Sequence, residues 1–343
     1  MYIVDSLIQS TGKPTEMNTL RQSIQSEFLQ FDQAFSAALS SDNHLIDNIL
    51  DYIHTKRGKQ LRPVLVLLSA AICKGVTDKT INTAVSLELL HTASLIHDDV
   101  VDNSPMRRGV KSIHEQWNNK IAILVGDFLL AKVISLLTEI RNTSILSIVS
   151  EVGAALSSGE LIQMHDGESM WITEEQYLRV IQHKTAHLFA ACCEAGAVSS
   201  GATAKQSHAL KNFGMYLGLC FQLKDDVFDY SDVEDLGKPT MNDLRDGKAT
   251  LPIIISLQRA SKEEATYIKK LAEDLTNQSP HINLFEAEQE IRSFVLRYDG
   301  IRYAYQIMEK YRKKALDALA SFPDNKYKES LATLLDYAIQ RMH

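Results

Sequence analysis

Two short segments carry the densest chemistry in the chain. His97-Asp98-Asp99-Val100-Val101-Asp102 and Lys224-Asp225-Asp226-Val227-Phe228-Asp229 both have the form DDxxD. On a helix the first and last aspartates of each set, Asp98 with Asp102 and Asp225 with Asp229, stand one turn apart on one face. Asp99 and Asp226 flank the same edge. Carboxylates packed so closely repel unless cations sit between them. Hard oxygen ligands that leave coordination positions open are what Mg²⁺ uses when it holds substrate phosphates. A single acidic run is ordinarily a solvated helix face. Here each run follows directly on apolar helical sequence, Leu87 to Ile96 and Met215 to Leu223. Unpaired carboxylates at the end of a buried helix would be costly. All six aspartates are therefore candidate metal ligands.

Basic residues cluster around them in three groups: Lys56, Arg57, Lys59 and Arg62; Arg107, Arg108 and Lys111; Lys238, Arg245 and Lys248. Arg forks onto phosphate oxygens and Lys acts as a point charge. Two aspartate clusters and several basic groups suggest a site for two diphosphate-bearing substrates.

The elements that position these residues read as helices. Fifteen Gly and seven Pro in 343 residues are few, and no proline falls between Pro105 and Pro239. From about Leu20 the apolar residues recur at three- and four-residue spacing, as in Leu210, Phe213, Leu217 and Phe221. Thr173-Glu-Glu-Gln176 and Ser261-Lys-Glu-Glu264 have the capping-box form of helix starts. Gly75, Asn103-Ser-Pro105, Asp166-Gly167 and Gly237-Lys-Pro239 mark stops. Val/Ile/Thr alternation bounded by hairpin turns is missing, so the fold class is all-α. The length suggests about two domains, but no linker divides the chain. The expectation is a flexible arm over residues 1–20 and a single all-α domain over 21–343.

Composition narrows the class further. The net charge is −7, which argues against a nucleic-acid partner. Cys73, Cys192, Cys193 and Cys220 show no CxxC spacing and read as small buried residues. No secretory signal opens the sequence. The best membrane-span candidate, Ile121 to Leu137, is interrupted by Asp127 and Lys132 and reads as a buried core helix. The expectation is a cytoplasmic protein without a transmembrane segment.

The chain resembles the trans-prenyltransferases, the all-trans isoprenyl diphosphate synthases. The matching segments are Gly58-Lys-Gln-Leu-Arg-Pro63, Glu88 through Asp102 with Met106-Arg-Arg-Gly109, Leu124-Val-Gly-Asp-Phe-Leu-Leu-Ala131, Lys184-Thr185-Ala186, Phe221 through Asp229, and Gly237-Lys238 through Pro252. The resemblance implies a helical bundle with a central cavity and a Mg²⁺-dependent head-to-tail condensation of isopentenyl diphosphate with an allylic diphosphate. It implies Asp98, Asp102 and Asp225 as principal ligands, with Asp99, Asp226 and Asp229 close by, and three Mg²⁺ per site. Arg107, Lys184, Lys238 and Lys248 would hold the allylic diphosphate, and Thr185 and Gln222 would line the carbocation side. Lys59, Arg62, His91 and Arg108 would hold isopentenyl diphosphate. The released diphosphate would accept the proton, consistent with the absence of a Ser/His/Asp triad. Four positions depart from the family pattern. Arg57 replaces a Gly, Gln60 a basic residue and Met241 a frequent Gly, and a frequent Glu is Asp246.

Product length is set, in this reading, by the face of the first helix below Asp98. Ser94, Ala93, Leu90 and Leu87 lie there, and short-chain members carry Phe or Tyr at the first two positions. Each helical turn of open tunnel adds about 5 Å, roughly one isoprene unit, so a product in the hexa- to octaprenyl range or slightly beyond is expected. The alternatives are a short-chain (geranylgeranyl or farnesyl) synthase, or the catalytic half of a heteromer where a homodimer is the default. A class I terpene cyclase is disfavoured by two DDxxD motifs. A di-iron site fails because Glu88-x-x-His91 has no second copy.

Overall fold

A computed structural model of the protein describes residues 21–56, 58–166, 170–230 and 240–340. The expected N-terminal arm, Arg57, Gly167 and the Gly237-Lys238-Pro239 turn lie outside the described residues. Helices α1 (Gln25–Ala38), α2 (His44–Thr55), α3 (Leu61–Ala71) and α4 (Asp78–Val101) lead into a short ladder of β1 (Met106–Arg107) and β2 (Val110–Lys111). Next come α5 (Ile113–Gln116), α6 (Asn119–Ile140), α7 (Thr143–Asp166) and α8 (Glu174–Ile181). A π-helical turn, Gln182–Ala186, joins α8 to α9 (His187–Ser199). The chain closes with α10 (Ala204–Phe228), α11 (Asn242–Arg245), α12 (Leu251–Arg259), α13 (Lys262–Thr276), α14 (Leu284–Arg297), α15 (Gly300–Leu319) and α16 (Lys326–Gln340).

Local chemistry starts and stops these helices. Thr77, Thr173 and Thr203 each accept at the side chain from the backbone N–H three residues on and donate their own backbone N–H to that residue's side-chain oxygen, which closes a capping box. Ser261 forms only half of its expected box, accepting from Glu264 N at 3.2 Å. The Glu264 carboxylate instead takes Arg297 and Tyr298 from α14, a tertiary pairing the local pattern does not encode. Gly75, at φ +98°, follows α3 in the left-handed region that favours glycine.

The strand pair is the departure from an all-helical reading. Met106 faces Lys111 and Arg107 faces Val110, across the two-residue turn Arg108-Gly109. Both turn residues have positive φ, 54° and 76°, as a type I′ hairpin requires. Six residues are too few to show alternation, so the pattern could not announce it.

Two clusters of buried apolar side chains form the interior. The larger draws on α1 to α7, α9 and α16, the smaller on α8 and α11 to α14. Helix α10 supplies both, with Leu210, Phe213 and Leu217 in one and Leu223 and Val227 in the other. Helix α15 does the same through Ala315 and Ala304. Two helices thus run through both cores, and no composition break marks the division.

Helix α6 differs from its expectation as a buried core helix. Ala122, Val125, Gly126, Leu129, Val133 and Leu137 form a buried stripe, but Leu124 and Ile134 on other faces are 66% and 64% exposed. It is long and apolar enough to cross a membrane by composition alone, with 33% of its most apolar window buried.

Candidate active site

Both aspartate clusters fall where two long helices end. Asp102 is the C-cap of α4 and Asp229 the C-cap of α10. A helix C-terminus already carries partial negative charge, so acidic residues there are unfavourable unless cations compensate.

At the first cluster, Asp98 is half-buried and Asp102 exposed. Asp99 is buried and accepts from the Arg107 guanidinium, with Nε at 2.8 Å. The hairpin is what folds Arg107 back onto α4. At the turn, Arg108 lays its guanidinium against Gly58, where a Cβ would come within 2.6 Å of Cζ, and its Nη1 donates to Lys56 O at 3.2 Å. His91 lies buried on α4. Burial, then Arg62, Arg108 and Arg107, hold its pKa well below the ordinary value, so the imidazole is neutral. Arg62 is pulled down by burial and supported by Glu88. Its Nε is buried with no hydrogen-bond partner among the described residues, an arrangement suited to receiving an anion. Lys59 stands at the start of α3, and its Nζ donates to Tyr337 OH at 2.8 Å.

The second cluster is more enclosed. Thr185 Oγ1 donates to Gln222 Oε1 at 2.7 Å, and Gln222 Nε2 donates to Asp226 Oδ1 at 2.8 Å. The Tyr177 hydroxyl donates to the other oxygen of Asp226. The π-helical turn places Thr185 and exposed Lys184 here, a use common to such bulges. Asp229 accepts from the backbone N–H groups of Asn242 at 2.8 Å and Asp243 at 3.0 Å. Asp225 is half-buried. Burial, then the charge of Asp243, push Asp226 up to about 8. Burial and Asp229 push Asp243 up to about 7, with Lys248 opposing. Burial also raises Asp229.

The halves are joined by aromatic contact. Arg62 lies 5.5 Å over the Phe189 ring, and Phe189 packs 5.2 Å from Phe221, the neighbour of Gln222. Close helix packing allows this. A Cβ on Gly214 would lie 2.5 Å from Phe189 O, and one on Gly218 2.6 Å from Ala186 Cα.

The sequence-predicted residues therefore divide. Arg62, His91, Arg107 and Arg108 gather around α4, while Thr185, Gln222, Asp226, Asp229 and Lys248 gather around α10. Lys238 lies outside the described residues. Arg245 turns away and pairs with Glu288, its Nε at 2.7 Å from Oε1. Two residues were not singled out by sequence. Asp243 looks no different from Asp246 or Glu234 until the loop folds under Asp229, and Tyr177 meets Asp226 only through tertiary packing.

Below Asp98, Ser94 keeps part of its surface open, whereas Ala93 and Leu87 are fully covered and Leu90 is 7% exposed. Leu90 Cδ1 lies 3.8 Å from the Cβ position of Gly153 on α7. Ser94 is thus the most open of the four positions.

The donor set fits a hard divalent cation: carboxylates crowded at two helix C-termini with Asp243 beside the second, Asp226 and Asp243 being pushed toward neutrality first by burial. Among the described residues no three His, Cys, Asp or Glu converge closely enough to hold a metal ion by themselves. Substrate oxygens would have to complete the coordination, as for Mg²⁺ held with phosphates.

Comparison with known proteins agrees with this geometry. Residues 43–286 match the family described as polyprenyl synthetase. The octaprenyl diphosphate synthase of Haemophilus influenzae is 34% identical over 311 residues, covering 90% of this chain and 92% of that protein. A crystal structure of polyprenyl synthase from Caulobacter crescentus, complexed with calcium and isoprenyl diphosphate, superposes with a TM-score of 0.86 at 33% identity, covering 95% of this chain and 98% of that one. Geranylgeranyl pyrophosphate synthase from Bacteroides thetaiotaomicron superposes at 0.81 with 36% identity, covering 96% and 100%. The chain belongs to the polyprenyl synthetase family and is a prenyltransferase acting on isoprenyl diphosphates, with a divalent metal.

Proposed function

We propose that the protein condenses isopentenyl diphosphate with an allylic diphosphate to give a long-chain all-trans polyprenyl diphosphate, using three Mg²⁺ per site. The observation that carries this is the pair of aspartate-capped helix C-termini, each set beside its own basic or polar group. Asp98, Asp102 and Asp225, with Asp243, would hold the metal, whose charge stabilises diphosphate as it leaves. Arg107, Lys184 and Lys248 orient that diphosphate, with Lys238 the fourth cation implied. Releasing Arg107 for this role means exchanging Asp99 for a phosphate oxygen. Thr185 and Gln222 present oxygen dipoles to the developing allylic cation. Lys59, Arg62, neutral His91 and Arg108 hold isopentenyl diphosphate, whose alkene attacks; the departed diphosphate takes the proton.

Small Ser94 supports a long product, because an aromatic side chain there would close the only partly open position on that face. The exposed apolar side of α6 supports a homodimer over a monomer. The test is incubation of the purified chain alone with Mg²⁺, isopentenyl diphosphate and farnesyl diphosphate. Products of six to eight isoprene units are expected. A product that stops at geranylgeranyl diphosphate would establish the short-chain reading, and no elongation without a second protein would establish a heteromer.

A further inference from the structure

Lys59 is held at three points, by elements from three parts of the chain. Its carbonyl accepts from Arg21 Nη2 at 2.9 Å, ahead of α1. The next residue, Gln60, is the N-cap of α3 in a left-handed conformation, φ +51°. Its ammonium then donates to Tyr337 OH, 278 residues later, and lies 5.5 Å from the centroid of that ring.

Tyr337 is itself firmly placed. It sits on α16, whose Leu331, Leu334, Leu335 and Ala338 are buried. Its neighbour Asp336 accepts from Arg312 Nε at 2.7 Å, which ties α16 to α15. Ser330 Oγ donates to Ser23 Oγ at 2.9 Å, tying the same helix to the segment that carries Arg21. The last helix and the first described residues thus form a frame around one exposed lysine.

We propose that Tyr337 is a positioning residue for Lys59, and through it for the isopentenyl diphosphate. This rests on the assignment of Lys59 to that substrate made above. A lysine ordered only on ligand binding loses side-chain entropy at that moment, a cost that prior positioning removes. The phenol oxygen takes one of the three ammonium protons and so fixes the direction in which the ammonium points. The phenol keeps its own proton, so an arriving anion meets two preordered donors. Allylic diphosphate binding, carried by aspartates and metal, does not pass through this frame.

The test is a double-mutant cycle of Tyr337→Phe and Lys59→Ala in the full chain, read by calorimetric binding of isopentenyl diphosphate without turnover. Tyr337→Phe keeps the ring and removes only the hydroxyl. It should weaken binding roughly tenfold, as expected for one bond to a charged group. In the Lys59→Ala background it should weaken binding no further. In steady state, KM for isopentenyl diphosphate should rise by the same factor, with kcat and KM for the allylic substrate within about twofold. An unchanged dissociation constant in Tyr337→Phe, additive losses in the double variant, or equal rises in both KM values would each overturn the proposal. A wild-type chain that binds isopentenyl diphosphate but never condenses it would overturn the proposed function and leave the binding cycle to decide Tyr337.

Discussion

At the scale of single residues, the two aspartate clusters carry different loads before any metal arrives. Asp99 is paired in place with Arg107, whereas burial pushes Asp226 up to about 8 and Asp243 up to about 7, Lys248 offsetting the latter only in part. Raised folded-state values mean that the native state binds more protons than the unfolded chain above the usual carboxylate range. Stability from these groups is present at low pH and is lost as pH rises through 7 and 8. The melting temperature of the metal-free protein should therefore fall between pH 5.5 and 8.5. Added Mg²⁺ should flatten that slope, and Asp226→Asn should remove part of it. A melting temperature that climbs over this window without metal would refute the assignment. Asp225→Ala and Asp98→Ala should each lower turnover at least about a hundredfold, the loss typical of one charge-stabilising group. Full activity in either would end the metal reading. The aspartates were legible because their spacing repeats and their setting is apolar. Asp243 and Tyr177 were not, because each becomes significant only through what folds against it.

Element packing decides what the site can accommodate. Sequence placed Ala93 and Ser94 together as the residues limiting product length, but α4 presents them differently. Ser94 retains exposed surface while Ala93 is enclosed. Ser94→Phe should shorten the product by one or more isoprene units with little loss of stability. Ala93→Phe should also shorten it, but at a cost of about 1–3 kcal/mol from overpacking. Chromatography of the products and denaturant unfolding separate the two effects; an unchanged product length in Ser94→Phe would sink the tunnel argument. The α9–α10 contact is less forgiving, since a side chain on Gly214 would strike the Phe189 carbonyl. Gly214→Val should lower stability by about 3 kcal/mol or more and disturb the Thr185–Gln222 pair, read as a fall in unfolding midpoint and turnover together. Helix positions and the Thr173 cap could be read from periodicity and local spacing. The type I′ hairpin, the π-helical turn and the diverted Glu264 could not, because each depends on two residues or on a partner distant in sequence.

Across the whole molecule, the −7 charge and the apolar α6 pull in different directions. Six acidic residues sit in the two clusters, where bound cations would offset much of the excess. Charge repulsion between copies is then modest, and the side of α6 carrying Leu124 and Ile134 is left as an unpaired apolar surface. Beneath it, His97 fills the space beside Gly126, where a Cβ would lie 2.1 Å from Nε2, and contacts Ile123 O at 3.2 Å. Any distortion of α6 is thus transmitted to the residue preceding Asp98. In a two-fold dimer the same patch faces itself, so a charge placed on that patch enters the interface twice. Leu124→Glu combined with Ile134→Glu should raise the dimer dissociation constant at least about a hundredfold, since like charges across an interface cost several kcal/mol. Under the proposed homodimer, sedimentation at micromolar concentration should show a dimer for the unaltered chain and a monomer for the double variant. Turnover should fall with dissociation if the seating of His97 depends on the partner. A double variant that still sediments as a dimer would move the interface to another face of the bundle.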